Sequence, residues 1–204
     1  MDIPAMNETI NYYDEHAFQY FDRTSQVDLA ALYKEFLKYI PTGGRIMDLG
    51  CGSGRDVKWF REHGYVAYGL DASEELVKIA RNQFDIPVEV GLIEEWIADE
   101  AFDGIWCCAS LMHLDDMSFD MFLSNLGCNL RPGGALFISV KEGIDSGLSE
   151  DGRYFRDFNE NTLNAFLSHY EGLRIAKVWY TTDKLYRESF RWLNAIIRTN
   201  EKEQ

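Results

Sequence analysis

One stretch constrains this chain more than any other: Arg45-Ile46-Met47-Asp48-Leu49-Gly50-Cys51-Gly52-Ser53-Gly54-Arg55-Asp56. Its apolar opening reads as a buried parallel strand. Three glycines then make a turn, and Val57, Lys58, Trp59 and Phe60 begin a helical pattern. Strand, glycine turn and helix form the layout of a nucleotide-binding βα unit. Glycine suits such a turn because a Cβ would hold a ligand off the backbone and oppose positive φ. Asp48 precedes the turn, at the carboxyl end of the strand, where open α/β sheets bind ligands. The plainer reading is a tight strand-to-helix connection that binds nothing.

Other α/β units flank this one in order. Residues 7 to 22 carry Ile10, Tyr13, Ala17, Phe18 and Phe21 at helical spacing, which predicts one amphipathic helix, unusually rich in aromatics. A second helix is predicted over 27 to 39, with Leu29, Leu32, Tyr33, Phe36 and Leu37 inward, ended by Pro41, Gly43 and Gly44. After the glycine turn, Gly64 caps the helix, and residues 65 to 71 read as a second strand ending in Asp71. A carboxylate at that strand tip can accept bonds from both hydroxyls of a ribose. Asp71 could instead cap the helix predicted over 74 to 83, for which Ser73 is an equally good cap.

Strands are predicted at 87 to 93, 102 to 110 and 135 to 141, the last entered through an Arg131-Pro132-Gly133-Gly134 turn. Helices fall at 118 to 130 and 159 to 170, with a polar loop over 142 to 152. Residues 173 to 180 alternate as a half-exposed strand should, and 190 to 197 read as its antiparallel partner.

Composition narrows the function. At 204 residues and 46% hydrophobic content, the chain suits one domain with an ample core. No run of about 18 apolar residues is available to span a membrane. The net charge of −14, without any Lys/Arg run, argues against a nucleic-acid partner and against an acidic membrane surface. Met1-Asp2-Ile3-Pro4 lacks the pattern of a secretory signal, and the four cysteines form no C-x-x-C pair or metal cluster. Reduced cysteines in a cytoplasmic protein, with no metal site, are the expectation.

The glycines Gly50, Gly52 and Gly54 are spaced G-x-G-x-G, not the G-x-G-x-x-G of dinucleotide enzymes, and an acid stands two residues upstream. Asp71 follows at the second strand tip. Phe102-Asp103-Gly104-Ile105 leads to His113-Leu114, and Arg131-Pro132-Gly133-Gly134 precedes the fifth strand. This series resembles the class I S-adenosylmethionine-dependent methyltransferases, and within them small bacterial-type enzymes such as the tellurite-resistance and thiopurine methyltransferases. The likeness runs from about Arg45 to Ile197.

The resemblance implies a Rossmann-like three-layer α/β/α sandwich, with a seven-stranded sheet of order 3-2-1-4-5-7-6 and strand seven antiparallel. It implies a single domain over 1–204, with an N-terminal helical lid at 1–43 over a core at 44–204. The implied cofactor is S-adenosyl-L-methionine, with S-adenosyl-L-homocysteine as product. Its expected contacts are Tyr13, Asp48, Gly50, Cys51, Gly52, Asp71, Ala72, Leu92, Ile93, Glu94 and Ala109. Leu92 and Ile93 would offer apolar contact to adenine. Glu94 would accept from its amine, or else is a plain solvated residue.

The N-terminal helix is either a lid, with Tyr12, Tyr13, Tyr20 and Phe21 reaching the pocket, or scaffolding. His113 is the best-placed general base, or else a structural histidine. Lys141, Glu142, Arg153 and Arg187 could orient an anionic substrate. The expected function is in-line methyl transfer to a small molecule, by a monomer or homodimer. An RNA- or protein-modifying methyltransferase and a catalytically silent binder are the alternatives. No [D/N]-P-P-[Y/F] tetrapeptide, used by amino-methyltransferases, is present.

Overall fold

A computed structural model describes residues 3–183 and 191–201. Arg187, and residue 190 at the start of the last predicted strand, lie outside the described residues. The strands are β1 (Arg45–Leu49), β2 (Val66–Asp71), β3 (Val88–Val90), β4 (Phe102–Cys108), β5 (Leu130–Glu142), β6 (Gly147–Leu148), β7 (Tyr154–Phe155), β8 (Leu173–Thr182) and β9 (Arg191–Thr199). The helices are α1 (Ile3–Glu15), α2 (Ala17–Thr24), α3 (Ala30–Phe36), α4 (Arg55–Glu62), α5 (Glu74–Phe84), α6 (Asp116–Asn129) and α7 (Glu160–Leu167).

Seven strands form one sheet of order β3-β2-β1-β4-β5-β9-β8, and β6 with β7 makes a separate ribbon. Counting only the large sheet, the order is the expected 3-2-1-4-5-7-6. β9 runs antiparallel to both β5 and β8, and the other neighbours in the sheet are parallel.

Strand side chains alternate between two cores. Ile105 and Cys107 of β4, Leu136 and Ile138 of β5, and Ile197 of β9 face the layer holding Phe119, Phe122 and Leu126 of α6 and Leu163 of α7. Trp106, Phe137 and Ile196, one residue out of phase, face the layer of Phe36, Val57, Phe60 and Val77 from α3, α4 and α5. Burying both faces produces near-continuous apolar strands, as the sequence showed.

Local differences from the sequence reading have local causes. The helix predicted over 7 to 22 is two helices, because His16 leaves helical geometry at φ −112° and ψ 16°. Its Nδ1 donates to the Tyr12 carbonyl at 2.9 Å and its ring stacks on Tyr12. The helix predicted over 27 to 39 is α3 followed by a 3₁₀ turn over Leu37–Tyr39. The third strand is only Val88–Val90, so Leu92 and Ile93 stand in the loop beyond it. Arg131 to Gly134 do not turn before a strand but bulge within β5, where pairing jumps from Phe102–Leu130 to Gly104–Ala135. The 142 to 152 loop contains β6.

Sequence patterning missed a polar knot inside this core. Asp56, in the first turn of α4, is buried. Its Oδ1 accepts from the Tyr33 hydroxyl at 2.5 Å and from Arg55 Nε at 2.5 Å. Its Oδ2 accepts from Arg55 Nη2 at 2.9 Å and Trp106 Nε1 at 2.8 Å. The donors come from α3, α4 and β4, so one carboxylate locks three elements. With its acceptor sites filled, the carboxyl is held below its ordinary range despite burial, which alone would raise it. Removing it strands a guanidinium, an indole N–H and a phenol. Asp56→Ala is expected to cost about 3–5 kcal/mol in urea denaturation. A loss below about 1 kcal/mol would show that the knot contributes little.

Candidate active site

β1, the glycine turn and α4 build the floor of the site. Gly50, Gly52 and Gly54 all have positive φ. At Gly50 the requirement is also steric: a Cβ would lie 2.3 Å from the Ser110 Cβ. The turn is stitched to the neighbouring strand. Gly50 and Cys51 N–H both donate to the Leu70 carbonyl, at 2.8 and 3.0 Å. Asp71, the next residue, accepts from Gly52 N–H through Oδ2 at 2.7 Å and from Ser73 N–H through Oδ1 at 2.9 Å. The helix cap is Ser73, whose hydroxyl oxygen accepts from Leu76 N–H. Burial pushes the Asp71 carboxyl above its usual range, against the pull of these amides.

Above this floor lies a cavity of about 100 Å³. Its wall includes Tyr13, Gly50, Gly52, Asp71, Ala72, Leu92, Ile93, Glu94, Ala109 and His113, which the structure thus brings together. Glu94 is buried at 4% exposure, not a solvated residue, and burial raises its carboxyl. Asp48 and Cys51 fall outside this wall. Asp48 is buried beneath the turn, where desolvation raises its carboxyl and its Oδ2 has no hydrogen-bond partner among the described residues. Cys51 turns toward β2, its sulfur only 2.8 Å from where a Gly69 Cβ would stand.

Of the N-terminal aromatics, Tyr13 and Tyr20 reach the cavity. Tyr12 stacks on His16 and Phe21 packs against Phe84. Thr9, Ile10 and Ser110 also line the wall and were not foreseen. Ile10 shared the helical face of Tyr13, so periodicity could have found it. Thr9 is fixed by accepting from Tyr154 N–H at 2.8 Å, a contact 145 residues away that no local pattern signals.

A second cavity, of about 490 Å³, lies on the other side of Tyr13, Tyr20 and Ala109, which line both. Met112, Lys141, Arg153, Tyr180 and Trp192 are among its walls, so two of the candidate substrate-orienting cations gather there. Glu142 instead pairs with Arg191 at 2.5 Å. Ala109, at the shared wall, has φ +63°, an uncommon backbone for a residue with a Cβ.

His113 follows β4 in a 3₁₀ turn. Its Nδ1 lies 2.7 Å from the Tyr154 carbonyl, which can only accept, so Nδ1 carries the proton. Nε2 is therefore an acceptor, and it receives the Tyr13 hydroxyl at 3.0 Å. Burial lowers the His113 pKa to about 4, with Arg153 and Lys141 adding to the effect and the Tyr154 bond opposing it. The Arg153 Nη1 lies 3.4 Å from the same hydroxyl, while its Nη2 pairs with Asp151 Oδ2 at 2.6 Å. Burial raises the Tyr13 pKa, against the pull of Arg153. Among the described residues, no group of three or more His, Cys, Asp or Glu side chains is arranged to hold a metal ion. No described helix is long and apolar enough to cross a membrane.

The sheet order and glycine floor define a Rossmann-like α/β protein of the methyltransferase type. The methyltransferase domain family matches residues 20–179, and the chain belongs to that family. A ubiquinone biosynthesis O-methyltransferase of Coxiella burnetii is 33% identical over 115 residues, 51% of this chain and 48% of that protein. Methyltransferase GfsG of Streptomyces halstedii is 30% identical over 112 residues, 49% of this chain and 38% of that protein. The chain thus spans about half or less of the length of these curated relatives. Among solved structures, a Burkholderia thailandensis 1,6-didemethyltoxoflavin-N1-methyltransferase, with bound 1,6-didemethyltoxoflavin and S-adenosylhomocysteine, superimposes with a TM-score of 0.74 at 20% identity, covering 98% of this chain and 92% of that one. The DhpI–SAH complex gives 0.74 at 18%, covering 98% and 99%.

The buried His113 has a consequence for stability. Held neutral down to about pH 4 in the native state, it titrates near 6.5 when unfolded. Between these values the unfolded chain binds more protons, so this residue makes stability fall as pH drops from 6.5 to 4. His113→Gln removes that term, and Asp48 and Asp71 cancel in the comparison. Urea denaturation at both pH values is expected to show the wild type losing ground to the variant on acidification. A constant difference would contradict the neutral buried histidine.

Proposed function

We propose that this protein transfers a methyl group from S-adenosyl-L-methionine to a small-molecule acceptor. The observation that carries this reading is Asp71. Its carboxylate lines the cavity, and each oxygen spends one acceptor site on a backbone N–H. A carboxylate offers about four such sites, and the amides of Gly52, Ser73 and Ala72 do not fill them, so acceptor capacity remains for a ribose hydroxyl. Glu94 and the apolar Leu92 and Ile93 line the same cavity, as an adenine would require. Gly50 and Gly52 line the same cavity and add no side chain to it. The relatives named above are methyltransferases, which supports the same reading. When bound, the cofactor supplies an activated methyl on a good leaving group. The protein's part is then alignment and exclusion of water, together worth about 7–11 kcal/mol.

The cavity of about 100 Å³ is smaller than the roughly 300–1,000 Å³ typical of small-molecule sites. Tyr20 closes over the floor, its ring 3.1 Å from where a Gly52 Cβ would stand. Within the expected lid over 1–43, α1 and α2 therefore move to admit the cofactor, while α3 stays on the core, where Tyr33 is bound to Asp56. Among the described residues, the polar ties of α1 to the rest of the chain include Asp14 to Ser73 and Glu75, Thr9 to Tyr154, and Tyr13 to His113 and Arg153.

Calorimetry with S-adenosylmethionine, S-adenosylhomocysteine and NAD tests the reading. The first two are expected to bind and NAD not to. Asp71→Ala is expected to weaken binding by about 1.5–3 kcal/mol. In the same samples, amides of residues 7 to 22 should gain exchange protection on adding S-adenosylhomocysteine. Tight NAD binding, with neither sulfur ligand bound, would overturn the proposal.

A further inference from the structure

Tyr13 stands where the two cavities meet. It lines the small cavity over the glycine turn and the cavity of about 490 Å³ beyond it. The larger volume falls within the usual range for small-molecule sites. Its walls offer aromatic faces from Tyr180 and Trp192, with Met112 beside them, and cations from Lys141 and Arg153. Four of the lining residues (Arg23, Arg55, Lys141 and Arg153) are basic, Arg55 and Arg153 being paired with Asp56 and Asp151, and two (Asp28 and Asp183) are acidic, in a chain whose net charge is −14. Such a chamber suits a flat aromatic molecule that becomes anionic as it reacts.

His113 lines only the smaller cavity, and its one acceptor nitrogen is taken by the Tyr13 hydroxyl. It therefore does not face an acceptor in the larger chamber directly. We propose that Tyr13 is the proton-transfer group of this enzyme, relaying a proton from a phenol-type acceptor in the larger chamber to His113, which acts through it. The inference rests on the methyltransferase reading above and adds to it the acceptor chamber, the acceptor class and the base.

The acceptor oxygen forms a bond to the methyl carbon as the donor's sulfur–carbon bond breaks, and that electron pair stays on sulfur. The acceptor's O–H proton passes to the Tyr13 oxygen, and Tyr13's own proton passes to His113 Nε2. Nδ1–H keeps its bond to the Tyr154 carbonyl throughout, so the imidazolium is held in place. The positive charge leaving sulfur reappears on His113, so the net charge of the site does not change across the step. This offsets the desolvation that otherwise opposes protonating His113. Arg153, beside the same hydroxyl, favours the oxyanion character that Tyr13 gains in passing the proton. The groups facing the pair are Arg153, Lys141 and Asp151 around His113, and Arg153, Asp71 and Tyr12 around Tyr13.

The relay assembles only when α1 is down on the core, because Tyr13 belongs to α1 and His113 to the loop after β4. Closing the lid would then exclude water and complete the base in one motion.

Tyr13→Phe keeps the ring and removes the relay. The probes are labelled S-adenosylmethionine and a series of phenols of graded acidity, ending with 4-nitrophenol, which is ionised at pH 8. The wild type is expected to methylate the weakly acidic members. Tyr13→Phe should lower kcat on them about 10²–10³-fold, within the range for acid–base catalysis, and spare 4-nitrophenol at pH 8. His113→Gln should show the same split, and the double variant no further loss. S-adenosylhomocysteine affinity is measured by calorimetry in the same variant, so that kcat is compared at saturating cofactor. Nitrogen-15 spectra should show the His113 Nε2 signal move in that variant while Nδ1 stays protonated. Three results would overturn the relay: no turnover of any phenol, equal losses on all phenols, or an unmoved Nε2 signal. If S-adenosylhomocysteine fails to bind the wild type, the methyltransferase reading itself falls; if it binds, only the relay is at stake.

Discussion

The structure depends on one carboxylate that joins two strand-to-helix turns. Asp71 closes β2, holds Gly52 of the turn after β1, and holds Ser73 at the start of α5. Together with the Leu70 carbonyl, which takes the N–H groups of Gly50 and Cys51, it fixes the glycine turn at positive φ without any side chain of the turn's own. The cost is a desolvated acid, and the amides lower that cost without consuming all its acceptor sites. On the proposed reading Asp71 is both tie and ligand, so that the floor and the diol site would be built together.

The N-terminal helices add what a bare Rossmann-like sheet lacks, a roof. The break at His16 lets α1 lie against β7 and α5 while α2 turns to lay Tyr20 over Gly52. On a single straight helix Tyr13 and Tyr20 would share a face but stand about 10 Å apart along the axis; with the break their rings meet at 5.3 Å. The roof then divides the space above the sheet into a small chamber over the glycine turn and a larger one lined by β5, β8 and β9 side chains. On the proposed reading, the dividing wall is where chemistry occurs, and the aromatic density of the N-terminus is a functional requirement as well as packing.

Much of this was legible in the sequence because it is written in local patterns. Apolar runs, glycine spacing and a terminal acid gave β1, β2 and the turn. Resemblance gave the sheet order. The cavity wall followed, except where a residue near the motif turned away: Asp48 and Cys51 sit in it by sequence but point beneath it. Strand alternation decides such directions, and a turn residue has no period to read. The rest is tertiary. The Asp56 knot needs Tyr33, Arg55 and Trp106 from three elements, and the His113 tautomer is set by the carbonyl of Tyr154. Neither leaves a trace in periodicity. The same holds for His113 itself, whose proposed part as a base depends on a tyrosine 100 residues earlier.

The central claim is that Asp71 and the glycine turn form a nucleoside site roofed by α1. A crystal structure with S-adenosylhomocysteine tests it most directly. The expected result places the ribose hydroxyls within hydrogen-bond distance of Asp71, adenine beside Leu92 to Glu94, and the sulfur facing Tyr13 beneath α1. Density for the ligand in the larger chamber, or with no contact to Asp71, would contradict it.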